Sequence, residues 1–459
     1  MPNIRPFAIL AIAALLAGPA SAADSLLDVY QRALQNDPTI REAEAQYLAL
    51  AEVKPQARAS LLPNVTLAGT VSSQYTDTVG GAIQPSGVPL GSRSIFDQTG
   101  SGYSVSLTQT IFDWGRYTTL KQADKRVARA ETDYEAAKQA LLIRVATAYF
   151  NVLAAKDNLA SAVSAREAIA RQLEQAQRRF EVGLIAITDV QQSQAGFDDS
   201  VATEIQAQRL LATSYEQLRE IIGDVVTELA GPTDELPLLS PDPASPEQWV
   251  KTALQQNLTL VSSRLAAEVA DYDIDIQKGS RLPNVNLQAS YSNNDNNRTT
   301  TIYQNGLPPI VSPITQKPEG RSWQLNVQFP LYTGGLNRSR VQQAVYTHRA
   351  ATEELERIGR QTERQTRDAY LGVISEIQRV RALKQSVESN RTALRATEAG
   401  FEVGTQTTVD VLTSQKNLST AETTYSRSRY DYILNVLTLK QAAGNLSVTD
   451  VEQVNGWLH

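Results

Sequence analysis

The chain has 459 residues, 43 Lys or Arg against 49 Asp or Glu for a net charge of -6, two His and no Cys. This excludes disulfides, thiolate metal sites, a Cys nucleophile and the basic footprint of a nucleic-acid binder. Only His348 and His459 are present, too few for a His-rich zinc site, so no enzyme, catalytic residue, cofactor or metal is expected.

At the N-terminus, Arg5 precedes an apolar run from Phe7 to Ala17, and Ala20-Ser21-Ala22 follows. This is the pattern of a signal peptide over 1-22, with the mature chain starting at Ala23. Beyond it, no stretch reaches the roughly 18 apolar residues of a membrane helix. An exported chain of this kind crosses a membrane only by β-strands.

The remainder is written twice. Ala33-Leu34-Gln35 recurs as Ala253-Leu254-Gln255, and Leu62-Pro63-Asn64-Val65 as Leu282-Pro283-Asn284-Val285. Phe180-Glu181-Val182-Gly183 recurs as Phe401-Glu402-Val403-Gly404, and Gly115 matches Gly335. The spacing stays constant to within a residue, which defines two structural repeats. The first covers 23-228 and the second 247-444. A Pro-rich linker over 229-246 separates them, and 445-459 reads as a C-terminal tail.

Each repeat predicts a helix, two strands, a very long helix, a tight turn and a shorter helix. The strands fall at about 64-76 and 102-112, then about 284-293 and 321-331. Val65, Leu67, Val71 and Tyr75 alternate with Thr66, Ala68, Ser72 and Gln74. One face is apolar or aromatic and the other is polar without charge, the pattern of an outer-membrane barrel. A soluble antiparallel sheet alternates too, but two matching hairpins in a Cys-free exported chain favour the barrel. The segments Asp77 to Gly102 and Asn293 to Gly320 read as long polar loops. Four strands cannot close a barrel, since the smallest use about eight. Two, three or four copies would supply enough.

The long helix of the first repeat runs from about Arg116 to Phe180, roughly 100 Å at 1.5 Å per residue. Leu141, Val145, Ala148, Val152 and Ala155 recur by threes and fours, the seam of a coiled coil. In the last helix Val411, Leu418, Tyr425, Tyr432 and Leu439 keep heptad spacing. His348, near Val341 and Val345, reads as a packed histidine.

These motifs together resemble the TolC family of outer-membrane channel-tunnels, over nearly the whole mature chain. The segments Val182 to Val190 and Val403 to Leu412 look like its two periplasmic tips, and Arg429 to Asn435 resembles its last helix. The resemblance implies a homotrimer that shares a twelve-stranded transmembrane β-barrel and a twelve-helix periplasmic α-barrel. It implies an exit duct in the Gram-negative outer membrane, with a large periplasmic part. Its partners would be outer-membrane lipid, a periplasmic adaptor (membrane fusion) protein and an inner-membrane ABC or RND pump. The duct would serve efflux or type I protein secretion and perform no chemistry itself.

Carried onto this chain, the resemblance assigns Asp189, Asp410, Phe401, Gln406 and Thr413 to the periplasmic aperture. Gly183, Leu184, Gly404 and Thr405 become the adaptor-docking tips. By residue type alone, Asp189 and Asp410 read equally as acids at helix starts, and Gly183 and Gly404 as helix ends. The family's familiar latch uses Tyr, Arg and a second Asp where this chain has Phe401, Gln406 and Thr413. A hydrogen-bonded or hydrophobic closure is expected in its place. A trimeric coiled-coil structural or adhesive envelope protein and a passive porin are the alternatives. The first leaves the paired hairpins unexplained and the second the long helices.

Overall fold

The computed structural model describes residues 23–83, 89–226, 228–233, 236–304 and 307–458. The signal-peptide segment 1-22 and His459 lie outside them. The chain divides into two units. One holds Ala49–Arg129 and Arg264–Glu353, and the other holds the chain up to Leu48, Ala130–Ser263 and the chain from Glu354.

The first of these is the sheet unit. Its strands are β1 (Asn64–Ile83), β2 (Pro89–Phe112), β3 (Asn284–Gln304), β4 (Ile310–Gln316) and β5 (Glu319–Gln328). All pairings are antiparallel, in the order β1-β2-β3, and β4 and β5 both pair with β3. The register aligns like with like. Val65 faces Leu107, Leu107 faces Ala289 and Ala289 faces Trp323, so this row of one face is apolar across the sheet. The neighbouring row is Thr66, Ser106, Ser290 and Ser322, where the last two hydroxyls meet at 2.8 Å. Trp323 is 82% exposed, so the apolar face lies open in a single chain.

The strands run well past the boundaries expected from alternation. β1 continues to Ile83, β2 begins at Pro89 and β3 reaches Gln304, through segments read above as loops. Ser, Thr and Asn there resemble loop residues in composition, but their backbones pair in unbroken register with the neighbouring strand. The return strand of the second repeat divides into β4 and β5 at Lys317-Pro318. Proline has no N–H for the ladder, and the Pro318 carbonyl instead accepts from the Asn294 N–H at 3.1 Å.

Helices attached to this unit are α3 (Val53–Ala59), the start of α4 (Trp114–Glu181), most of α7 (Leu258–Gly279) and the start of α8 (Leu336–Glu402). The Gln122 amide is buried and donates to the Val269 carbonyl at 2.8 Å and to Asp273 at 2.6 Å, joining α4 to α7. His348 is not packed as expected. It is half-buried: Ala344, one turn before it on the same face, is buried, while Val345 and Tyr346 beside it are exposed.

The second unit is helical. It contains α1 (Leu26–Asn36), most of α2 (Pro38–Ala51), α5 (Ile187–Ile222), α6 (Pro246–Gln256), α9 (Thr408–Ala443), α10 (Val448–Asn455) and the remainder of α4 and α8. The seams expected from heptad spacing are buried at Leu141, Val145, Ala148, Val152 and Ala155 of α4. On α9 they are buried at Val411, Leu418, Tyr432 and Leu439. On α8, Val373, Val380, Val387, Leu394 and Phe401 repeat every seventh residue and are likewise buried. The matching positions on α5 are small: Ser193, Ser200, Ala207 and Ser214. Small seam residues let neighbouring helices approach closely. A Cβ on Gly196 of α5 would lie 3.1 Å from the Leu412 side chain of α9.

The linker and the tail are both integral to this core. Leu229 and Ala230 are buried, and so are Val451, Val454 and Leu458. Leu229 bridges to Asp24, and Pro232 bridges to Leu458. The Tyr149 hydroxyl reaches the Ala230 carbonyl at 2.7 Å and the Asp24 carbonyl at 3.1 Å. The prolines of 229-246 prevent a helix there, but they leave carbonyls and apolar side chains free to pack.

Candidate functional site at the hairpin tips

The α4–α5 and α8–α9 connections are two copies of one turn. The Leu184 N–H donates to the Arg179 carbonyl and the Gly183 N–H to the Phe180 carbonyl, both at 2.8 Å. In the second copy the Thr405 N–H donates to the Gly400 carbonyl at 2.8 Å and the Gly404 N–H to the Phe401 carbonyl at 3.2 Å. This paired pattern is the Schellman helix end, which needs left-handed backbone at its glycine. Gly183 has φ 75° and Gly404 φ 81°.

The tips differ in what they present. Leu184 is 73% exposed, flanked by exposed Val182 and Ile187. Thr405 occupies the matching place, and its hydroxyl donates back to the Gly400 carbonyl at 3.0 Å. Exposed Val403 and Val409 continue the apolar surface of the second tip. Apolar side chains at two adjacent turns, outside any core, form a surface suited to a partner.

Asp189 and Asp410 each open the helix after their turn. The Thr407 N–H donates to Asp410 Oδ2 at 2.8 Å and its hydroxyl donates to the same oxygen at 2.6 Å. Donation by the hydroxyl, and then by the backbone N–H, holds the Asp410 carboxyl below the usual carboxylate range. Asp189 receives the Ala186 N–H at 3.3 Å, with no hydroxyl beside it because alanine brings none. Among the described residues no hydrogen bond or ion pair joins the two acids. Each serves its own helix start, and each remains partly exposed.

The other three aperture candidates separate. Phe401 is buried in a cluster with Val387, Leu394, Val411, Leu418 and Ala421. The Thr413 hydroxyl donates to the Val409 carbonyl at 2.7 Å within its own helix. Gln406 is exposed, and its stem lies over Gly400, where a Cβ would come within 2.7 Å of Gln406 Cγ.

The family described as Outer membrane efflux protein matches this chain twice, over residues 29–224 and 249–445. Outer membrane protein TolC of Vibrio cholerae is 36% identical over 95% of this chain and 94% of its own length. The chain belongs to the outer membrane efflux protein family. Within it, Alkaline protease secretion protein AprF of Pseudomonas aeruginosa is 27% identical over 94% of this chain and 86% of its own. The solved outer membrane protein VceC of Vibrio cholerae shares the fold, with a TM-score of 0.72 at 17% identity, covering 91% of this chain and 96% of that one. As an outer membrane efflux protein, this chain is an exit duct of the Gram-negative outer membrane. The solved CmeC of Campylobacter jejuni, an outer membrane channel, shares the fold as well, with a TM-score of 0.72 at 17% identity, covering 100% of this chain and 98% of that one.

Two residues of this efflux protein's tips escape a reading by motif. Arg179 lies over the Phe401 ring, 4.8 Å from its centroid, and donates to the Phe401 carbonyl at 3.4 Å. Its only sequence signal is a basic pair, Arg178-Arg179, in the last turn of a helix, where cations are commonplace. Gly400 precedes the recurring motif and carries no turn of its own, yet three donors use its carbonyl: the N–H groups of Thr405 and Gln406 and the Thr405 hydroxyl.

Proposed function

We propose that three copies close their sheets into one twelve-stranded barrel and their helices into a twelve-helix tunnel. The observation that carries this reading is the open sheet. β1 has a free edge on one side and β4 with β5 on the other, while the apolar face is uncovered. Unpaired strand edges in lipid leave backbone groups without partners, and joining copies edge to edge removes every one. The polar face, lined by Ser, Thr, Asn and Gln, then surrounds water.

Through this passage the homotrimer conducts cargo received from an inner-membrane ABC or RND pump and a periplasmic adaptor. Efflux and type I protein secretion both use such a duct. The pump supplies the energy, and the duct performs no chemistry. Leu184 with Gly183, and Thr405 with Gly404, form the adaptor-docking tips. Asp189 and Asp410 line the aperture as acidic rings. Phe401 closes it through apolar packing, with Gln406 and Thr413 as neutral neighbours, in place of a charged latch. The mature chain begins near Ala23 once 1-22 is removed.

The test is direct. Purified protein should run as a trimer in mild detergent and conduct ions in planar bilayers. A strain lacking it should lose drug resistance or secretion. A monodisperse monomer that retains β-structure would refute the shared barrel. Conductance without any export defect would leave only a passive porin.

A further inference from the structure

Charges on the strands divide by face. Asp77, Arg93, Asp97, Asp295, Glu319 and Arg321 all share, by register, the face of Val65, Leu67 and Trp323. Among the described residues, one charged strand residue occupies the other face: Arg298. It sits in the row Gln74, Gln98, Arg298 and Ile314. Every other strand residue on that face is uncharged, from Asn64 and Thr108 onward. The connecting segments 84–88 and 305–309 contribute no charged residue, and Lys317, between β4 and β5, pairs at 3.2 Å with Asp295 of the Val65 face.

The surroundings of Arg298 keep its charge effective. Its guanidinium lies over the Phe96 ring, 4.7 Å from the centroid, a contact that fixes the cation in place. Ile302 and Ile314 share the same face nearby. The guanidinium is exposed to the water of this face, where solutes can reach it, and among the described residues no acid on this face offsets it.

We infer that Arg298, repeated by symmetry, forms a cationic ring on the water-filled face of the barrel and selects for anionic solutes. Rings of Arg or Lys are how pores favour anions and phosphates. This rests on the shared barrel proposed above. The solutes it would favour are small polyanions, such as phosphate chains, and acidic stretches of a secreted polypeptide.

The experiment uses the full-length trimer in planar bilayers under a KCl gradient, with inorganic tripolyphosphate added to each side in turn. Wild-type current should be blocked from one side. Arg298→Gln should raise the half-blocking concentration about tenfold or more, equivalent to about 1.4 kcal/mol, and shift the reversal potential toward cations. Arg298→Lys should retain both properties, and Arg321→Gln, which removes a charge from the opposite face of the sheet, should leave the tripolyphosphate block in place. Unchanged block and reversal potential in Arg298→Gln would overturn the ring alone. Trimers that insert yet pass no current would overturn the barrel reading and the ring together.

Discussion

Arg179 holds Phe401 from two directions: its guanidinium covers the ring at 4.8 Å and donates to the residue's own carbonyl at 3.4 Å. The contact joins the end of α4 to the end of α8, one helix from each repeat. Separating the two hairpins at their tips breaks it. A cation over an aromatic ring at a partly exposed site contributes about 0.5–1 kcal/mol. Arg179→Leu should therefore shift an open-to-closed equilibrium about two- to fivefold toward open. Single-channel recording measures this; an unaltered open probability would show that the contact does not restrain the mouth.

Leu184→Asp should fold and assemble normally, since an exposed change of this kind costs within about 0.5 kcal/mol. It should abolish export by placing a charge in the apolar tip surface. The assay is export by cells with wild-type levels of the trimer. Full activity would remove the first tip from the docking surface.

The aperture acids should make the mouth prefer cations at neutral pH. Asp189→Asn with Asp410→Asn should reduce that preference, read as a reversal potential under a salt gradient. Asp410 has its folded pKa depressed by Thr407. Its contribution to folding is therefore complete above the unfolded pKa, near 3.9, and is lost as pH falls through the lower folded value. Selectivity carried by Asp410 should thus persist below pH ~3.9. Thr407→Val removes the hydroxyl donor and should move the loss to higher pH. A titration identical in both proteins would contradict the capping account.

Tyr149 tests the clamp around Leu229 and Ala230. Burial pushes its phenol well above the usual tyrosine range, so the hydroxyl remains a donor at working pH. Tyr149→Phe leaves the Ala230 and Asp24 carbonyls short of that donor, at about 1–3 kcal/mol. The thermal midpoint of the assembled protein should fall. No change would mean that water replaces the hydroxyl without cost.

Helix seams and turns were legible because their signals are local and repeated. Val411, Leu418, Tyr432 and Leu439 announced a buried stripe by spacing alone, and Val-Gly after Phe-Glu announced each tip. Strand ends were not, because Ser, Thr and Asn pair along a strand as readily as they fill a loop, and only the neighbouring strand decides. The burial of Leu229 and of Leu458 escaped for a similar reason: what covers them comes from distant sequence. At the tips, Asp189 and Asp410 could be read as aperture acids or as helix-start acids, and the structure places both at helix starts. Arg179 gave no readable sign, since its partner Phe401 lies in the other repeat.

The bridges from Asp24 to Leu229 and from Pro232 to Leu458 set an order in time. The segment between the repeats receives one neighbour early in synthesis and the other only when Leu458 emerges. The core that includes Val451, Val454 and Leu458 is therefore completed only after both helical hairpins have been made. A chain cut short before Val451 would hold both hairpins yet lack the side chains that close the core around Leu229 and Ala230.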